Sequence, residues 1–356
     1  MDYIPAKQIL IRNKSTAWFG TDHTVNLYRG CPHGCIYCDS RSDCYRIGDF
    51  GRVRAKENAL PLLRDELARK VRPGFVGLGS MSDPYNPFEK ELQLTRHALE
   101  LLDAYGFGAA VATKSDLITR DMDVLRCMKA HVPVLCKITV TTTDEALAAK
   151  VEPNAPSPAR RLAAVKELSR AGIFAGLLLM PVLPFLEDSA ENVLAVAEAA
   201  AEAGARFVYP AFGMTLRDSQ RAYYYRALER HFPGLPERYQ RQYGPRYECP
   251  SPRAGELWEA FSRRCGELGL LCRMKDITAA CQHGYADRQL SFFCLPATSG
   301  RWPPDPRWRC GSDPAGGCRF CRWWRGWSGP GPCRCRTGAR PGRRPRWRRC
   351  AVGRGG

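Results

Sequence analysis

The stretch Tyr28-Arg29-Gly30-Cys31-Pro32-His33-Gly34-Cys35-Ile36-Tyr37-Cys38-Asp39 sets three thiols at C-x3-C-x2-C spacing on one short loop. Thiolates at that spacing can reach three corners of an iron–sulfur cube. Gly30 and Gly34 allow positive φ and let backbone N–H groups approach the cluster sulfurs. Three ligands for four irons leave one iron open. Two other readings compete. Cys44 could add a fourth thiolate for a structural zinc or iron site, but the C-x5-C gap that follows Cys38 is long for one. Three inert buried thiols are the other, and a loop so full of Gly, Pro and polar residues does not suit them.

Outward from the loop, short β-branched or apolar runs alternate with longer stretches of helical spacing. Strands are predicted over 24–28, 75–79, 108–113, 133–141, 173–180 and 206–210. The helices between them cover 57–71, a stretch ending near 105, a stretch ending near 129 with Thr119 or Asp121 as cap, one opening at Ser157-Pro158, 189–203 and 219–230. The run 173–180 is almost wholly apolar, as expected of a strand buried on both faces. Six β/α units in succession predict an α/β protein with a partial (β/α)6 TIM barrel, whose chemistry lies at the C-terminal strand ends, where the cysteine loop also falls.

The domains expected are a lead-in over 1–23, with Trp18-Phe19 as a packing anchor, and the barrel over 24–232. A C-terminal extension over 233–293 packs on the barrel through a helix at 252–268. Residues 231–250 read as irregular. The last segment, 294–356, differs in kind. It holds fifteen Arg against two Asp and lacks Lys and Glu, so it carries +13 of the chain's formal +18 and leaves +5 for residues 1–293. That tail lacks any helical or strand period and is expected to be disordered, or the product of a GC-rich gene read out of frame or past its stop. The competing reading is a zinc module on Cys318, Cys321, Cys333 and Cys335. A charge of +5 is ordinary for an enzyme, so composition alone gives the barrel little claim to nucleic acid. Seventeen cysteines without a leader segment favour metal or redox chemistry in a reducing compartment. With the longest apolar run, 172–185, short and broken by Pro181 and Pro184, the expectation is a soluble cytoplasmic protein that does not cross a membrane.

The loop with its flank from Val25, and in particular the pattern C-x3-C-x-aromatic-C, closely resembles the radical S-adenosylmethionine (SAM) superfamily in its spore photoproduct lyase-like branch. The resemblance extends to Ser82-Asp83-Pro84-Tyr85, Ala112-Thr113-Lys114-Ser115 and Glu152-Pro153. It implies a [4Fe–4S] cluster on Cys31, Cys35 and Cys38, whose open iron is chelated by SAM. It also implies reductive cleavage of SAM to a 5′-deoxyadenosyl radical that abstracts hydrogen, and an electron donor such as flavodoxin or ferredoxin. By the same resemblance Tyr37 flanks the adenine, Lys114 pairs with the SAM carboxylate, Ser80, Ser82 and Asp83 hold the amino nitrogen, and Thr139 and Thr141 meet the carboxylate or ribose. The bland alternatives are a solvated Lys114, barrel-filling threonines and an Asp83 that caps a turn. Glu152 and Arg161 are expected to form an ion pair steadying the fourth β/α connection.

The pattern departs from the family at one place. The photoproduct lyases use a cysteine as hydrogen donor just before the Ser-Asp pair, and matching that pair to Ser82-Asp83 puts Ser80 at the donor position. A serine O–H is too strong to give hydrogen to a carbon radical, so thymine-photoproduct repair by that route is not expected, the substrate stays open, and no catalytic residue is assigned. Cys127, Cys136, Cys249, Cys265, Cys272 and Cys281 are expected as small buried groups, and His23, His33 and His97 offer no ligand pair. The alternative from another class is a non-catalytic, metal-bearing protein that binds nucleic acid through the basic tail.

Overall fold

The structure, a computed structural model, describes residues 1–285. The predictions for 294–356, including the four-cysteine zinc module, and the last residues of the expected extension lie outside the described residues.

Six parallel strands make the central sheet: β1 His23–Val25, β2 Phe75–Leu78, β3 Gly108–Thr113, β4 Val134–Thr139, β5 Phe174–Leu179 and β6 Val208–Pro210. Each pairs with the next in chain order, and Leu10–Arg12 adds an antiparallel edge to β1. Six helices follow the strands in turn: α1 Ala59–Ala68, α2 Leu94–Ala104, α3 Met122–Lys129, α4 Pro158–Arg170, α5 Ala190–Glu202 and α6 Asp218–His231. This is the expected (β/α)6 order, open at both sheet edges as a partial barrel is.

Alternation along the strands sorts the core into two layers. Val76, Val111, Cys136, Ile138 and Leu177 face the helices, where Leu63 of α1, Leu99 of α2 and Val165 of α4 meet them. Leu63 is wholly buried, worth about 1.5–3 kcal/mol by itself. On the other face Phe75, Ala110, Leu135, Leu178 and Phe207 pack with Phe19 and with Ile277 and Cys281 of the helix Met274–Gln282. Phe19 is thus the anchor expected, whereas Trp18 is 44% exposed and meets Tyr209 edge-on.

Several readings need correction. The run 24–28 is two strands: Tyr28–Arg29 leaves the barrel and pairs with Arg54–Lys56, which also takes Asp2–Ile4, so the lead-in contributes two short strands. Three-residue strands are too short to show a period. The helix expected to end near 105 is two, Glu89–Leu92 and α2, broken at Gln93 with φ 50°. Residues 142–156, left unassigned, include the helix Glu145–Val151, capped by Asp144. The stretch 231–250 is not irregular, for Leu235–Tyr243 is a helix with Pro236 in its first turn, burying Tyr239 and Tyr243, and Glu248–Pro250 pairs with Gly213–Thr215. Its apolar face is built from tyrosines, which a count of aliphatic residues misses. Asp121 stands at the start of α3 without capping it, and its carboxylate accepts from Tyr85 Oη at 3.0 Å instead. Cys127 is exposed, because the buried stripe of α3 is Val124, Leu125 and Met128. Among the described residues no helix is long and apolar enough to cross a membrane.

Candidate functional site

The cysteine loop is stitched down from both sides. Cys31 N–H donates to Phe50 O at 2.9 Å and Ile36 N–H to Val151 O at 3.0 Å, while Asn154 donates from its backbone to His33 O and from its side chain to Pro32 O. Gly30 and Gly34 have φ of 84° and 74°. A Cβ on Gly30 would come within 2.6 Å of Arg52 O, and one on Gly34 would press on Pro153 and Asn154. Both positions therefore need glycine to bring the loop against its neighbours.

Cys35 is buried and Cys31 and Cys38 partly so. Burial, with the Asp83 carboxylate beside it, pushes the Cys31 thiol up to about 12. Burial also raises Cys35 and Cys38, against which the Lys114 ammonium works at both. The thiols are close enough that Cys38 and Cys31 act electrostatically on Cys35. Without a bound cation such groups stay protonated, and a metal centre displaces the protons. Among the described residues no three His, Cys, Asp or Glu side chains converge to hold a metal ion. A cluster makes no such demand, since each thiolate binds a different iron. Cys44 is exposed, and its N–H donates to Ser42 Oγ. The donor set fits a cluster with three protein ligands.

Beside the loop lies a charge network. Glu152 is fully buried, pairs with Arg161 at 2.5 Å and with Lys114 at 3.8 Å, and accepts from the Tyr37 hydroxyl. Burial works to raise its carboxyl, but Lys114 and Arg161 outweigh that and hold it below the ordinary value. Lys114 feels the reverse: burial lowers it, Cys35 and Glu152 more than compensate, and its ammonium stays charged. That ammonium also lies 5.5 Å from the centre of the Tyr37 ring. Arg161 completes its fork on Pro156 O and Thr139 O. The expected Glu152–Arg161 pair is present, and it does more than steady a connection, because it ties Tyr37 of the cysteine loop to Lys114 at the end of β3.

Asp83 fills the turn-capping role and three others. Its carboxylate accepts from Tyr85 N–H at 2.9 Å, Thr113 Oγ1 at 2.5 Å and Lys114 N–H at 2.7 Å, and His33 Nδ1 stands at 3.4 Å. Ser82 is buried and donates to Tyr28 O. Ser80 is exposed and donates to Asn26 Oδ1, which also takes Met81 N–H. Thr139 sits at the end of β4 on the barrel-interior face. Thr141 lies beyond it and donates to Glu187 at 2.8 Å. Glu187, which the pattern of residues did not single out, is fully buried and pushed up to about 8 by that burial, against the help of Leu183 N–H and Thr141. The acid pair Glu187-Asp188 that closes the apolar stretch after β5 was its one signal. The structure thus gathers Cys31, Cys35, Cys38, Tyr37, Asp83 and Lys114 around one end of the barrel, with Glu152, Arg161 and Asn154 as the supports that residue patterns did not assign to the site.

Comparison with known proteins bears on this arrangement. The family model described as Radical SAM superfamily matches residues 25–197. An uncharacterised protein of Mycobacterium tuberculosis is 35% identical over 241 residues, covering 65% of this chain and 70% of its own length. Another, from Methanocaldococcus jannaschii, is 34% identical over 172 residues, covering 48% and 63%. Among solved structures, a spore photoproduct lyase variant with bound AdoMet and dinucleoside spore photoproduct superposes with a TM-score of 0.59 at 14% identity, over 76% of this chain and 80% of that one. At that identity the likeness speaks for the fold.

Proposed function

This chain belongs to the radical SAM superfamily, and on that premise we propose that it cleaves SAM reductively and abstracts a hydrogen atom from its substrate. Its cofactors are a [4Fe–4S] cluster and SAM. When bound, the reduced cluster would supply one electron to the sulfonium of SAM, whose C–S bond would break to give methionine and a 5′-deoxyadenosyl radical. Every other requirement falls to the chain's own residues.

Cys31, Cys35 and Cys38 would hold the cluster as its three protein ligands and leave a place on it for SAM. Lys114 takes the SAM carboxylate, with Glu152, itself fixed by Arg161, keeping its ammonium charged and aimed before the ligand arrives. Tyr37, its hydroxyl fixed on Glu152, presents its ring to the adenine. The loop carrying Ser80, Ser82 and Asp83 lines the amino side, with Ser82 and Asp83 as positioning residues whose polar atoms are engaged in holding the loop on Tyr28, Thr113 and Lys114. Thr139 and Thr141 bound the carboxylate and ribose side, the second through Glu187. The observation that carries this reading is the single network joining the cysteine loop to Lys114 through Glu152. It supports a site where ligand charge is met at the loop's edge.

Neither Ser80 nor Met81, the two residues that precede Ser82-Asp83, is a cysteine, which supports hydrogen abstraction without a thiol donor at that place. The electron donor is a one-electron protein such as flavodoxin or ferredoxin. The experiment is anaerobic reconstitution followed by SAM and a strong reductant. Formation of 5′-deoxyadenosine is expected, and its transfer of deuterium from labelled candidates identifies the substrate.

A further inference from the structure

Lys137 stands in the middle of β4, and the mechanism above does not use it. In the sheet register it lies opposite Ala112 of β3 and Gly176 of β5. Strand alternation puts Leu135, Lys137 and Thr139 on the barrel-interior face, where Leu135 packs with Phe19, Ala110 and Leu178. Its neighbours at the same level contribute a methyl group and a hydrogen, and the Phe207 ring packs over Gly176, so on that side the lysine stem runs beside an aromatic face and meets no side chain of Gly176 itself.

The side chain is 2% exposed. Among the described residues its ammonium meets no carboxylate and no hydrogen-bond acceptor; its recorded contact is the Phe19 ring, 4.4 Å from the centroid. The ionisable groups that act on it are the thiols Cys136 and Cys281, and burial pushes the amine down to about 8, which leaves it mostly protonated at neutral pH. A cation–π contact offsets only part of what desolvation of an ammonium costs. A residue retained merely to fill the barrel would do so better as methionine. Two strand residues above stands Thr139, a rise of about 6.6 Å that the four-carbon stem can span.

We propose that Lys137 is an anion-recognition residue on the barrel-interior face, its ammonium lifting from the Phe19 ring toward Thr139 to take a carboxylate or phosphate oxygen of the substrate. This deepens the reading of the barrel mouth as the SAM site and specifies the substrate class: an oxyanion-bearing molecule whose charged end enters the barrel. Phe19 then serves as the resting place of the cation in the absence of substrate.

The test is calorimetric titration of the full-length, cluster-loaded protein with inorganic phosphate and with acetate, against a chloride blank, together with thermal melts. No reductant is added, so failure of SAM cleavage leaves this result untouched. Wild type is expected to bind one of the two anions, Lys137→Arg to keep that binding, and Lys137→Met to weaken it at least tenfold while melting no lower than wild type. The anion that binds distinguishes a phosphate from a carboxylate substrate. Equal affinity in wild type and Lys137→Met, binding of neither anion by wild type, or a Lys137→Met protein that melts lower would each overturn the proposal, the last because it would make the lysine a structural filler.

Discussion

Two lysines one strand apart divide the molecule into a mouth and an interior. Lys114, at the end of β3, is 17% exposed and has Glu152, Cys35 and Tyr37 around it, and its environment holds the proton more firmly than water does. Lys137, inside β4, has an aromatic face and two thiols, and its environment loosens the proton. The residue type is the same, and Lys137 is the more buried of the two. What also differs is whether the fold supplies a counter-charge. At the mouth Lys114 and Arg161 share the Glu152 carboxylate before any ligand arrives, which suits a fixed site for an anionic group of a cofactor. In the interior the charge is left uncompensated, which suits a site completed by the substrate.

The largest expected effect comes from removing the centre around which the mouth is arranged. Cys35→Ala should lose the cluster, with iron falling from about four per chain and SAM cleavage dropping to background, while circular dichroism still reports a folded barrel. Undiminished iron would place the cluster elsewhere. Next, Glu152→Ala strips the counter-charge from both Arg161 and Lys114. Breaking a buried pair of this kind costs about 3–5 kcal/mol, readable as a lower urea midpoint. A loss below about 1 kcal/mol would mean that the mouth charges are solvated and the contrast with Lys137 is false.

Glu187 sharpens the comparison from the acid side. Its carboxyl, raised to about 8, keeps a proton in the folded state that the unfolded chain releases near the ordinary value. Between those two values the folded state binds more protons, so Glu187 lowers stability as pH rises from about 5 to 8, by at most about 1.4 kcal/mol per pH unit. Glu187→Gln should flatten that slope in urea titrations at several pH values; an unchanged slope would assign it to other groups. The smallest effect is expected at Cys44. Its thiol is exposed, so Cys44→Ser should retain full iron content, whereas a four-thiolate site would lose its metal.

Much of this was legible in the sequence for identifiable reasons. Strands buried on both faces write themselves as apolar runs, so β2 to β6 and their order could be read directly, and the cysteine spacing announced the loop. Interactions between residues far apart in the chain could not be read. Glu152 reaches Tyr37, which lies 115 positions away, and Glu187 meets Thr141 across 46; neither pairing leaves a periodic trace. The helix Leu235–Tyr243 was hidden because tyrosines with polar tips form its buried face. Lys137 left a faint mark, a charge inside the otherwise apolar run Val134-Leu135-Cys136 and Ile138, and such a mark acquires meaning only when the fold shows which face it occupies.

The central claim is that the cysteine loop and its charged supports form a SAM-cleaving centre. The most direct test is to reconstitute the full-length protein anaerobically with iron and sulfide, add SAM and dithionite, and quantify 5′-deoxyadenosine by liquid chromatography. A protein with about four irons per chain that forms 5′-deoxyadenosine, and ceases to do so as Cys35→Ala, is the predicted result. A full cluster that leaves SAM intact under the same reductant would contradict it.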